Sequence, residues 1–181
     1  MTRRSFRWPH IRPSATRSIV ALWCKSLLNA LLFFGICMVV LPWVSHRMLP
    51  VKLPILSAIS TCGGGFFLFA GIAMWIYCLD VFIRRGKGTP LSFDTPRYLV
   101  TKGLFGVVRN PIMIAELMVI WGEVMCFASL GILVYAIVIS IVAHITVVYV
   151  EEPELRERFG KSYENYCKRV PRWIPYLKHF R

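Results

Sequence analysis

Arg109, Glu116, Glu123, Tyr135, His144, Tyr149, Glu151 and Glu152 stand within or at the ends of a block, residues 112–150, that is otherwise almost wholly apolar. Ionisable side chains are costly in hydrocarbon, so each marks a site unless a structural partner accounts for it. Glu116 and Glu123 are seven residues apart and share one helical face. A carboxylate and an imidazole, here Glu116 and His144, are groups that can move protons in catalysis. Glu151 and Glu152 place a double negative charge where the apolar block ends, just before Pro153. A helix C-terminus disfavours anions, so this pair demands a cationic partner.

The block is too long for one crossing of a core of about 30 Å at roughly 1.5 Å per residue. Its natural break is FASLG, residues 127–131, which gives an antiparallel hairpin. Both helices rise equally per residue, so residues equidistant from a turn at Ser129 lie at equal depth. Glu123 then lies level with Tyr135, Glu116 lies about half a turn from His144, and Arg109 lies level with Tyr149, within a turn of Glu151 and Glu152. A Glu123–Tyr135 hydrogen bond would stabilise helix packing. The Glu116–His144 level serves either structure or chemistry, and the Arg109 level either a site or a salt bridge closing the hairpin. Tyr149 reads as an aromatic of the interfacial belt.

Two further stretches, residues 26–44 and 58–83, are apolar enough to span, giving about four transmembrane helices. The composition agrees: 56% of residues are hydrophobic and 17% charged, beyond the usual share of a soluble domain. All of the 22 Lys and Arg residues except Arg47 and Lys52 fall before the first stretch, between the second and third, or after the fourth. By the positive-inside bias both termini and the middle loop, residues 84–108, are expected to be cytoplasmic, in a bacterial inner membrane or an internal eukaryotic one. The Arg-rich, acid-free N-terminus also fits a transit peptide, but the same bias recurs in the other two segments. The formal net charge of +13 flanks the spans, so anionic headgroups, not nucleic acid, are the expected partner.

The expected fold is therefore an all-α, polytopic integral membrane protein. It divides into a basic segment (1–25), two spans (26–83), and a core (84–181) of cytoplasmic loop, hairpin and tail. In the tail, Leu155, Phe159, Tyr163, Tyr166 and Val170 mark one face of an amphipathic interfacial helix, which Gly160 can bend or interrupt and Pro171 stops. The segment 101–111, TKGLFGVVRNP, delivers Arg109 to the cytoplasmic level, and Pro111 can open the third span. The six cysteines form no metal-ligand spacing or disulfide framework. The CGGG at residues 62–65 lies inside a span, where its glycines serve close helix packing, not a dinucleotide.

Two motifs, LVTKGLFGVVRNPIM and, after the hairpin, EEPELRERFGKSYENYCKRVPRWIP, together resemble the isoprenylcysteine carboxyl methyltransferase family and its bacterial relatives. The resemblance covers about half the chain, and the first two spans match only in general character. It implies a membrane-embedded S-adenosyl-L-methionine site and no metal. It places Arg97, Tyr98, Leu99, Val100, Phe105 and the run Asn110, Pro111, Ile112 and Met113 where family members contact the cofactor. Glu151 falls on the family's cofactor-binding glutamate, with Glu152 beside it. Arg109, Glu116 and His144 are the candidate catalytic groups.

Asn110 stands where most of the family has His, and Phe105 and Met113 stand in place of tyrosines. Val147 replaces a substrate-site arginine of the eukaryotic enzymes, which weakens the case for a prenylcysteine carboxylate acceptor and leaves methyl transfer. The expected partners are the bilayer and a lipophilic small-molecule acceptor. Two alternatives stand beside this reading: a reductase using NADPH, since membrane sterol reductases carry a similar motif and tail, and a non-catalytic membrane scaffold.

Overall fold

A computed structural model describes residues 19–54, 57–86 and 97–175. Most of the basic N-terminal segment, residues 87–96 of the middle loop, and Lys178 and Arg181 lie outside the described residues. Among the described residues the chain is helical and no strand forms; a lone β-bridge joins Lys52 to Ser129. Helix α1 (Ile19–Gly35), which begins inside the expected basic segment, runs through a π-helical turn (Ile36–Val40) into α2 (Leu41–Met48). Helix α3 (Ser57–Val81) ends in a second π turn (Phe82–Gly86). The hairpin comprises α4 (Pro111–Phe127) and α5 (Leu130–Thr146). A third π turn (Val147–Glu151) continues α5 into α6 (Glu152–Phe159), followed by α7 (Lys161–Arg169).

The hairpin turns where FASLG places it. Ala128 adopts a left-handed conformation that ends α4, and the Ser129 hydroxyl accepts the Ile132 N–H at 3.5 Å as the cap of α5. The same Ser129 Oγ lies 2.8 Å from His46 Nδ1. Leu53 N–H donates to Ala128 O at 2.7 Å and Leu130 N–H to Val51 O at 2.9 Å, so the α2–α3 connection is tied onto the turn.

Small residues bring α3 and α4 together. A Cβ built on Gly64 would lie 2.7 Å from the Gly122 carbonyl and 2.6 Å from Cys126 Sγ. Only hydrogen fits there, which is the membrane-helix use of glycine expected of the CGGG stretch. Around this contact Met38, Val119, Ile120, Val124, Ile132 and Ala136 form a buried core, drawn from the first π turn, α4 and α5.

Two helical stretches, Ala58–Gly86 and Leu130–Phe159, are long and apolar enough to cross a bilayer. Their outward residues, including Ile59, Phe66 and Phe69 on one and Val138, Ile141 and Ile145 on the other, remain exposed, a surface suited to lipid. The other two expected spans are shorter as apolar helices: Leu32–Met48 is one. Helix α4, with 17 residues, reaches about 25 Å at 1.5 Å per residue.

Gly160, at φ +50°, interrupts the amphipathic tail helix, as its position allowed, and divides it into α6 and α7; what covers the apolar face differs from expectation. The apolar face made by Tyr163, Tyr166 and Val170 packs against Leu99 of the loop together with Leu155 and Phe159. Protein, not only bilayer, therefore covers that face. Sequence periodicity identifies an apolar face but not what covers it.

Replacing Gly64 by Val should force α3 and α4 apart and cost about 1–3 kcal/mol, read as a lower unfolding temperature in detergent. Gly65→Ala, where a Cβ meets nothing within 4 Å, should cause no loss.

Candidate functional site

The glutamate pair divides its labour because of where the third π turn ends. A core of about 30 Å needs roughly 20 helical residues, so a crossing that starts at Leu130 is complete near Val150. On that count the first turn of α6 would lie beyond the hydrocarbon. There Glu152, only 4% exposed, accepts two hydrogen bonds from one guanidinium: Arg172 Nε to Oε1 at 2.6 Å and Arg172 Nη2 to Oε2 at 3.0 Å. Arg109 Nη1 stands 3.2 Å from Oε1, and Arg156 Nη2 stands 3.8 Å from Oε2. Burial would raise the pKa of this carboxyl. The Arg172 hydrogen bonds and the charges of Arg109, Arg172 and Arg156 outweigh that and hold it below the usual 4.5.

Glu151, by contrast, is half-buried in the π turn and makes no ion pair or hydrogen bond among the described residues. A π turn adds a residue to a helical turn and so changes the direction of the side chains that follow it. The expected Arg109 level is thus present, with Glu152 as the partner. Arg109 also donates from Nη1 to Cys167 Sγ at 2.8 Å, while its buried Nε has no acceptor among the described residues.

The loop residues gather at the same end. The N–H groups of Arg97 and Tyr98 donate to Gly86 O at 2.8 and 3.3 Å, so the loop returns to the end of α3. Val100 and Phe105 are buried with Cys78 and Val81, and Ile112 packs against them. Phe105 stacks obliquely on Phe82 at 5.8 Å, and its carbonyl accepts the Tyr166 hydroxyl at 2.5 Å. Leu99 belongs instead to the tail cluster. Asn110 is the residue before α4 and donates from Nδ2 to Arg172 O at 3.3 Å; Pro111 is buried at the first helical position, and Met113 is half-buried. Val147 is fully buried at the start of the π turn.

The two deeper levels pair differently from the depth arithmetic. Tyr135 donates its hydroxyl to Cys37 O at 2.7 Å, a carbonyl of the first π turn, and Glu123 Oε2 is buried without a hydrogen-bond partner among the described residues. Glu116 accepts from Trp75 Nε1 at 3.3 Å, and His144 Nδ1 accepts from Trp173 Nε1 at 3.1 Å. Depth fixes the level at which a group lies, but α1, α3 and the tail compete for it there. Trp75, Cys167, Arg172 and Trp173 are therefore contacts that sequence reasoning missed. One signal existed for Trp75: an indole N–H within a span needs an acceptor, and Phe34, at 5.5 Å, supplies only a ring.

The family model for phospholipid methyltransferases matches residues 67–162, just over half the chain. The chain belongs to this family. The matched part of this phospholipid methyltransferase family member runs from within α3 through α6 and includes Arg109, Glu116, His144, Glu151 and Glu152, but not Arg172. Methanethiol S-methyltransferase of Crocosphaera subtropica is 32% identical over 98 residues, which are 54% of this chain and 34% of that protein. The chain thus spans about a third of the length of that curated relative. No solved structure matches it. The resemblance read from the two motifs, to a membrane methyltransferase, is the family that the match gives.

A carboxyl held below its ordinary pKa contributes stability that is present above the unfolded value and lost as pH falls through the folded one. Thermal stability in detergent should therefore fall on acidification below about pH 4.5. Glu152→Gln should remove that contribution at neutral pH, costing about 3–5 kcal/mol because Arg109 and Arg172 lose their counter-ion.

Proposed function

We propose that this protein transfers a methyl group from S-adenosyl-L-methionine to a lipid or lipid-linked small molecule at the cytoplasmic face of a membrane. In this reading the chain crosses the membrane about four times with both termini cytoplasmic, the cofactor enters from the cytosol, and the acceptor enters laterally from lipid. The observation that carries it is the unpaired, half-buried Glu151 carboxylate beside a fully partnered Glu152, in a chain of a methyltransferase family.

The residues fit such a cofactor. Glu151 would receive its ammonium or ribose diol, and Arg109 Nε, a buried donor without an acceptor among the described residues, would receive its carboxylate. Val100, Phe105 and Ile112 provide the apolar wall for its adenine. The cofactor supplies an activated methyl on a sulfonium, open to in-line displacement.

The protein's tasks are then alignment and exclusion of water, which suit a site roofed by a packed tail. Glu116, held by Trp75, would take the proton of a protic acceptor. His144, whose Nδ1 accepts the Trp173 N–H, presents Nε2–H as a donor in its neutral form. The methanethiol S-methyltransferase relative supports a heteroatom acceptor, and the buried Val147 speaks against a prenylcysteine carboxylate as that acceptor.

Titration of detergent-purified protein with S-adenosylhomocysteine and, separately, with NADPH checks this reading. Saturable binding of the first is expected, and Glu151→Ala should abolish it. Binding of NADPH alone would sink the methyltransferase reading in favour of a reductase. Unchanged S-adenosylhomocysteine affinity in the Glu151 variant would remove Glu151 from the site.

A further inference from the structure

Three consecutive residues after α7, Pro171, Arg172 and Trp173, bond to the segment before α4, the last turn of α5 and the start of α6. The Arg109 N–H donates to Pro171 O at 2.8 Å, and Asn110 Nδ2 donates to Arg172 O at 3.3 Å. These bonds tie the strap to the segment that opens α4. The Arg172 side chain reaches the start of α6, where its fork grips both oxygens of Glu152. Trp173 reaches the last turn of α5 and donates to His144. The strap itself lies past the part of the chain that the family model matches, while its partners lie within it.

The geometry constrains Glu151 through its neighbour. A bidentate guanidinium–carboxylate pair fixes the plane and direction of the carboxylate, which a single ammonium cannot do. Glu152 is 4% exposed, held by this fork and, at the Oε1 it shares with Arg172 Nε, by Arg109, so its side chain is constrained to one orientation. The backbone at the junction of the π turn and α6 follows, and with it the direction of Glu151, one residue earlier. A π turn standing alone would leave that direction poorly determined, because its wider ring packs less tightly than an α-helical turn.

We propose that Arg172 is a positioning residue of the methyl-donor site: acting through Glu152, it aims Glu151, and the Pro171–Trp173 strap locks the Asn110 and Glu151 walls at one separation. This rests on Glu151 being the cofactor carboxylate. It assigns the tail a role in cofactor affinity that a surface anchor would not have.

The test measures S-adenosylhomocysteine affinity and unfolding temperature of the full-length protein in detergent, for wild type, Arg172→Lys, Arg172→Ala and Arg169→Ala. Arg172→Lys keeps the charge and loses the fork. It is expected to bind about 10-fold more weakly with an unfolding temperature near that of wild type, a combination that a merely structural contact does not produce. Arg172→Ala is expected to bind more weakly still. Arg169→Ala removes an equal charge three residues away, on an exposed side chain bonded, among the described residues, only to the Asn165 carbonyl, and should bind like wild type.

Should Arg172→Ala fail to fold, the Lys variant carries the test. Wild-type affinity in Arg172→Lys overturns the inference, as does an Arg169→Ala loss equal to that of Arg172→Lys, because charge alone would then explain both. Absence of S-adenosylhomocysteine binding in wild-type protein overturns the cofactor reading itself, and is thereby distinguished from a failure of Arg172 alone.

Discussion

A carboxylate placed out of water at the end of an apolar helix must find positive charge, and Glu152 is that carboxylate. Its partners come from three places: Arg109 from the loop before α4, Arg156 from one turn along α6, and Arg172 from beyond α7. An exposed pair such as Arg84–Asp80 orders only its own helix turn. A buried carboxylate shared between remote segments makes the loop and the tail converge, because separating either one leaves a charge unpaired. The closed shape of this end of the molecule follows from that requirement.

The same constraint sorts the two adjacent glutamates. The arginines converge on Glu152, so Glu151 keeps a carboxylate without an ion pair or hydrogen bond among the described residues. Two neighbouring residues of identical chemistry thereby take different parts, one cohesive and one available to a ligand. The π turn makes the division geometric, since regular α-helix through this stretch would turn both side chains to other directions.

Below this end the molecule is held by close contact, not by charge. Gly64 and Gly122 let α3 and α4 meet backbone to backbone, and the core around Val119, Ile120 and Ala136 fixes the hairpin against the first π turn. Dispersion between tightly fitted helices is the available cohesion where lipid competes on equal terms with apolar side chains. A rigid base of this kind suits methyl transfer, in which alignment of donor and acceptor supplies much of the rate.

Much was legible in the chain itself. Apolar length and the FASLG break determined the helices and the hairpin turn; Pro111 determined where α4 opens; the misfit of two anions at a helix end called for a cation, and depth matching across the hairpin singled out Arg109. These are local or one-dimensional facts, set by rise per residue, capping and helix electrostatics. Which glutamate Arg109 meets, that Tyr135 bonds to Cys37 and Glu116 to Trp75, and that Arg172 returns to Glu152 were decided only by the tertiary structure. Each of those choices depends on the azimuth of a helix and on which neighbour competes at a given depth. A π turn or a glycine break changes azimuth without leaving a periodic trace in the sequence.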